Sequence, residues 1–240
     1  MTPSDDGPTP TPGVLFDVLR ALCHDLRSPL TAVMTNLEFA RRQLQGTSRD
    51  AQLLESLDDS VLSCDAIRRM VANLDVLTRP ETLSTTLEYH SIEDILATIT
   101  ATYRSHAALC DMILRAPTTD NATRVFVDRR LIRLAIENLL ANAVQHGPRG
   151  TTIEVHVDTN DDAVILRIED DGTPIQAGHA DEATSLEAQT QHGRDEHTRY
   201  SSGLALFAAA ASARMAGAAL EFTSTGDKNR MSLHLRTAPK

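Results

Sequence analysis

The chain has 240 residues, with 33 Asp and Glu against 23 Lys and Arg and a formal charge of -10. Such an acid excess argues against a nucleic-acid-binding surface. Aromatic residues make up 3% and tryptophan is absent, so any core rests on Leu, Ala, Val and Ile, and the 3 cysteines (Cys23, Cys64, Cys110) are too scattered for a metal set and read as reduced thiols of the cytoplasm.

Residues 1–12, with Pro3, Pro8, Pro10 and Pro12 among Thr, Ser, Asp and Gly, lack the basic start and apolar stretch of a leader and are expected to be a disordered tail. No apolar run is long enough to span a bilayer, the alanine-rich stretch from Leu204 to Ala213 included, so no membrane insertion is expected.

From about Val14 to Gln45, Leu15, Leu19, Leu22, Leu26, Val33, Leu37 and Leu44 recur at steps of mostly three and four, which predicts a helix with one buried stripe. His24 falls between Leu22 and Leu26 and points away from that stripe, towards solvent. Asp25 can accept a hydrogen bond from one ring nitrogen and leave the other as a nucleophile, and Ser28 lies one turn on along the same face. Pro29 cannot donate to the carbonyl of Asp25, so the helix is expected to bend there. The string from Cys23 to Leu30 resembles the phosphoacceptor box of bacterial two-component histidine kinases. The resemblance implies that His24 is phosphorylated, that Asp25 assists it, and that Ser28 aids phosphatase chemistry.

Gly46 ends this helix and Thr47 or Ser48 starts the next, which runs to about Thr78 with Leu54, Leu57, Val61, Cys64, Ile67, Val71, Leu74 and Leu77 as its stripe. Two antiparallel helices cannot cover both stripes, so a homodimer completing a four-helix bundle is expected over residues 13–79. Arg79-Pro80-Glu81 breaks the helix, and residues 80–86 read as a linker.

Residues 87–240 form the second predicted domain, an α/β sandwich, which makes the whole chain α+β. Ser91-Ile92-Glu93-Asp94 predicts a capped helix to about Leu109, followed by strands near Met112 to Arg115 and Arg124 to Val127. Asp128 sits where an N-cap is expected before a helix that carries Asn138 and Asn142 at i, i+4 on one face, and two carboxamides within a Leu/Ala run want a ligand. A hairpin of Thr151 to Thr159 and Ala163 to Glu169 ends in Asp170-Asp171-Gly172. Ser201-Ser202-Gly203-Leu204 opens an apolar helix to about Met215, then Ala219 to Ser224 and Met231 to Arg236 form a last hairpin.

These strings resemble, in order, the N-box and the two glycine boxes of the same kinases and of the wider ATPase superfamily that includes gyrase (the GHKL type). The resemblance implies ATP and Mg2+ as cofactors, with Asn142 holding the metal, Asn138 beside it, Asp170 reading adenine next to Gly172, and the backbone at Gly203 and Leu204 receiving phosphate. Residues 176–200 would be the lid. Departures from the pattern are Gln145 in place of lysine, Pro174 in place of a glycine, Ser201 and Ala205 in place of two more, and a lid without its phenylalanine box.

The expected activity is that of a cytoplasmic, dimeric histidine kinase core that passes its phosphoryl group to a response regulator receiver domain. The departures keep two alternatives open: an ATP-independent phosphotransferase relaying groups from a separate sensor or hybrid kinase, and a non-catalytic docking module.

Overall fold

The computed structural model describes residues 26, 29–40, 42, 50–78, 85–117, 123–160, 163–172, 205–225 and 228–237. Residues 29–40 form helix α1 and Asp50–Leu77 form α2. Ser56 Oγ donates to the carbonyl of Asn36 at 2.8 Å, which sets the two side by side as the predicted helical hairpin. Ser60 and Ser63 each return their hydroxyl to the carbonyl four residues back, at 2.8 Å, so these polar side chains can lie on a buried helix face.

The buried face of α2 is not the predicted stripe. Ser56, Ser60, Ser63, Ala66, Arg69, Met70, Asn73 and Val76 face the rest of the chain. Leu57, Val61, Cys64 and Val71 are exposed, as are Leu30, Met34 and Leu37 on α1. Periodicity locates an apolar face but does not say which neighbour covers it. Here a second, small-residue face packs within the chain, and the apolar one is left for something else.

The second domain begins with β1 (Glu88–Ser91), a strand absent from the sequence expectation, then α3 (Ile92–Leu109), β2 (Ile113–Arg115), β3 (Arg124–Val127) and α4 (Arg129–His146). It continues with β4 (Thr152–Thr159), β5 (Ala163–Asp170), α5 (Ala205–Met215), β6 (Ala219–Thr225) and β7 (Lys228–Arg236). Ser91 caps α3 as expected, accepting from the Asp94 N–H at 3.3 Å. The 5-stranded sheet has the order β2-β4-β5-β7-β6, parallel only between β2 and β4, while β1 pairs antiparallel with β3. Tyr89 and Phe126 stack across that small ribbon at 4.8 Å.

α5 ends where Gly217 takes φ +80, with Ala218 N–H bonded to Ala213 O at 2.9 Å and Gly217 N–H to Arg214 O at 3.1 Å. This paired closure needs a left-handed residue, which glycine supplies without cost from a Cβ. One core then joins Ile95 and Ile99 of α3, Ile132, Ile136, Leu139 and Leu140 of α4, Ala209 and Ala213 of α5, and the inward residues of the sheet. Side chains such as Leu140, Leu166 and Leu233 are fully enclosed, each contributing about 1.5–3 kcal/mol through burial. That packing fixes α4, and with it the asparagines.

Candidate functional site

Asp128 anchors the start of α4. Its Oδ1 accepts from the N–H groups of Arg130 (3.0 Å) and Leu131 (3.2 Å), and its Oδ2 from that of Thr86 (3.1 Å), so one carboxylate caps the helix and ties down the chain entering the domain.

The two asparagines have different fates. Asn138 is fully buried and pairs with Asn73 of α2: its Nδ2 donates to Asn73 Oδ1 at 2.7 Å while its Oδ1 accepts from Asn73 Nδ2 at 2.9 Å. Its Nδ2 also donates to the carbonyl of Leu134 at 3.0 Å. In this arrangement both N–H donors of Asn138 are met by protein, and its carbonyl accepts one bond from Asn73. Asn142, one turn on, is half-buried, and its side chain makes no hydrogen bond among the described residues. It remains available.

The end of β5 meets the end of α4. Asp170 is 2% exposed; its Oδ1 accepts from Gly172 N–H at 2.8 Å and from Asn229 Nδ2 at 3.1 Å, yet its Oδ2 is buried with no partner among the described residues. Burial pushes its carboxyl above the usual range, and the two hydrogen bonds and nearby His146 pull the other way. An unpaired buried oxygen is costly unless a donor arrives. Gly172 lies so close that a Cβ there would stand 2.6 Å from Asp170 Oδ1 and 3.2 Å from the carbonyl of His146. Asp170 and Gly172 thus lie at the last turn of α4, and Asn142 stands one turn (about 5.4 Å) earlier along that helix.

His24, Asp25, Ser28, the lid 176–200, Gly203 and Leu204 lie outside the described residues. Leu26 and Pro29, which flank Ser28, are helical, and α5 begins at Ala205, immediately after Leu204.

A polar cluster between α2, α3 and α4 is one that sequence reasoning missed. Glu137, 5% exposed in its side chain, takes Arg133 Nε at 2.8 Å and Arg68 Nη2 at 3.1 Å. Arg69 donates to Asp65 at 3.3 Å and to the Tyr103 hydroxyl at 3.2 Å, and that hydroxyl donates to the carbonyl of Glu137 at 2.8 Å. Burial pushes Tyr103 up to about 12. Polar residues on a helix read as a solvated face, so no local pattern flags Arg69 or Asn73 as interior.

His106 Nδ1 stands 4.0 Å from Asp65 in the same cluster. Burial, aided by Arg69 and Arg68, lowers the imidazole pKa below 6.5, against Asp65 and Glu137, which raise it. The folded chain therefore binds fewer protons at this site than the unfolded one. This contribution to stability is whole above pH 6.5 and declines as the pH falls through 6.5 towards the lowered value. Thermal melts from pH 7.5 to 5 should show a steeper loss for the native chain than for His106→Gln; parallel curves would contradict this.

Comparison with known proteins places this geometry. Residues 15–83 match the family model of the His Kinase A (phospho-acceptor) domain, and residues 127–239 match that of the histidine kinase-, DNA gyrase B-, and HSP90-like ATPase. The chain is 25% identical over 160 residues to the sensor protein IrlS of Burkholderia pseudomallei, covering 66% of this chain and 33% of that protein. It is 28% identical over 162 residues to the alginate biosynthesis sensor protein KinB of Pseudomonas aeruginosa, covering 66% and 27%. It therefore spans about a third of the length of these curated relatives. Among solved structures, the Acinetobacter baumannii histidine kinase AdeS shares the fold, with a TM-score of 0.57 at 17% identity over 89% of this chain and 97% of that one. With the phosphoacceptor and ATPase units in this order, the chain belongs to the two-component histidine kinase family.

Proposed function

We propose that this chain is a homodimeric kinase that phosphorylates His24 from ATP and hands the group to an aspartate on the receiver domain of a response regulator. The observation that carries the ATP step is the orphaned Asp170 Oδ2: a buried acceptor at a strand end, beside a glycine that admits no side chain, suits the exocyclic amino group of adenine. Asn142, with its free carboxamide, would hold Mg2+, which supplies positive charge between the phosphate oxygens. Backbone N–H groups at Gly203 and Leu204, ahead of α5, would take the phosphates, since helix starts favour anions.

At the other end, a neutral His24 ring nitrogen bonds to the γ-phosphorus as the bond to the β,γ-bridging oxygen breaks and ADP leaves. Asp25 holds the opposite N–H, and Ser28 serves the reverse, dephosphorylating reaction. Dimerisation rests on the exposed stripes of α1 and α2: Met34 is 60% and Val61 58% exposed on a single chain, and a second hairpin would cover both faces. ATP as donor sets the reaction in the cytoplasm.

The test is labelling of the purified chain with γ-labelled ATP and Mg2+. Wild type should acquire label, and Asn142→Ala should acquire it on the order of a hundredfold more slowly, with its fold intact by circular dichroism. A chain that takes label only from a separate phosphorylated kinase or regulator, never from ATP, would overturn the kinase reading in favour of a relay protein.

A further inference from the structure

Between α2, α3 and α4 lies a cavity of about 300 Å³, apart from the nucleotide site. It exists because Ala66 of α2 and Ala141 of α4 line it with single methyl groups where larger residues would close the gap. Leu62, Leu109, Cys110 and Val144 complete its apolar part. Two polar groups on that wall have unmet capacity. Among the described residues, Gln145 Nε2 is buried without an acceptor, and the Asp59 carboxylate enters no hydrogen bond or ion pair. The remaining charges on the wall are engaged: Arg69 with Asp65 at 3.3 Å, and Arg149 with Asp111 at 3.0 Å.

We propose that this cavity is a binding site for a small uncharged heterocycle carrying a cyclic amide, whose carbonyl accepts from Gln145 and whose N–H donates to Asp59. The volume is that of the smaller ligand pockets, and the wall is divided between apolar residues and polar ones, of which Gln145 and Asp59 are left to fix a ligand's orientation. An anionic ligand is disfavoured because the wall's cations already have partners, and a cyclic amide offers in one ring the acceptor that Gln145 needs and the donor that Asp59 needs. The position also explains Gln145, which the sequence comparison registers only as a missing lysine: in this arrangement it faces the helical hairpin and not a phosphate.

Because the walls come from both domains, the ligand binds only while they are docked, and so favours the state in which Asn73 holds Asn138. This regulatory consequence rests on the kinase reading above; the binding site itself does not.

The experiment uses the full chain with uracil, 2-pyridone and 2-quinolone as probes and benzoate as a charged control. Binding is read by ligand-detected NMR and by the shift in Tm. At least one cyclic amide should give a saturable rise in Tm that benzoate does not. Its affinity should fall about tenfold in Gln145→Leu, which removes one donor, and should vanish in Ala66→Leu or, should that variant not fold, in Ala141→Val. No saturable binding by any probe, or binding unaltered in Gln145→Leu and in the filled variants, would overturn the proposal. Autophosphorylation measured without probe reports separately on the kinase reading, so the two can fail independently.

Discussion

Asp170→Asn is expected to weaken ATP binding about thirtyfold, the equivalent of ~2 kcal/mol for a buried hydrogen bond to a charged group, while leaving the fold intact. The reason lies in the donor count. Oδ1 already receives two N–H groups, from Gly172 and Asn229, so an asparagine at this position must put its carbonyl there. Its NH2 then replaces the orphaned Oδ2 and meets the adenine amino group donor to donor. Acid should act in the same direction. Burial raises the Asp170 pKa, so protonation begins at a higher pH than for an ordinary aspartate, and ATP affinity should decline as the pH falls through that raised value. Calorimetric titration with ATP across pH checks both. Equal affinity for wild type and Asp170→Asn would remove Asp170 from the adenine site.

The second large effect concerns Asn73. Asn73→Leu strands the buried Asn138 amide, which keeps its bond to Leu134 O but loses an acceptor for one N–H and a donor for its carbonyl. A loss of about 1–3 kcal/mol in chemical unfolding of the full chain is expected, and Asn138→Leu should cost a similar amount by stranding Asn73. The double variant should recover much of the loss, since two leucines can share the space with no polar group unmet. The cycle should therefore give a coupling energy of about 1 kcal/mol or more. Strict additivity would mean that the pair contributes nothing of its own. By comparison, the Arg130–Asp75 pair, with both side chains more than half exposed, should contribute less than about 1 kcal/mol.

These two residues show how far the sequence could be read. Asp128, Ser91 and Gly217 announce their helix ends because capping is local: the cap lies within three residues of what it satisfies. Asp170 and Asn142 stand out in the sequence because their motifs stand in recognisable order. β1 was missed because Glu88–Ser91 is four residues long and pairs only with a strand more than thirty residues on, so no alternation marks it. Lys228 to Arg230, which extend β7 back towards the turn, were missed because a Lys-Asn-Arg run has no strand character until it is placed opposite Thr223 to Thr225. The second buried face of α2 was missed because Ser56, Ser60, Ser63, Arg69 and Asn73 read as polar positions. The Asn73–Asn138 pair joins positions 65 residues apart, and only the docking of the two helices makes it.

The most direct measurement of the central claim is the chemistry of the label. Wild-type chain incubated with γ-labelled Mg-ATP should carry phosphate that is lost in acid and kept in base, as a phosphoramidate is, and His24→Gln should carry none. Acid-stable label, or undiminished label in His24→Gln, would contradict it.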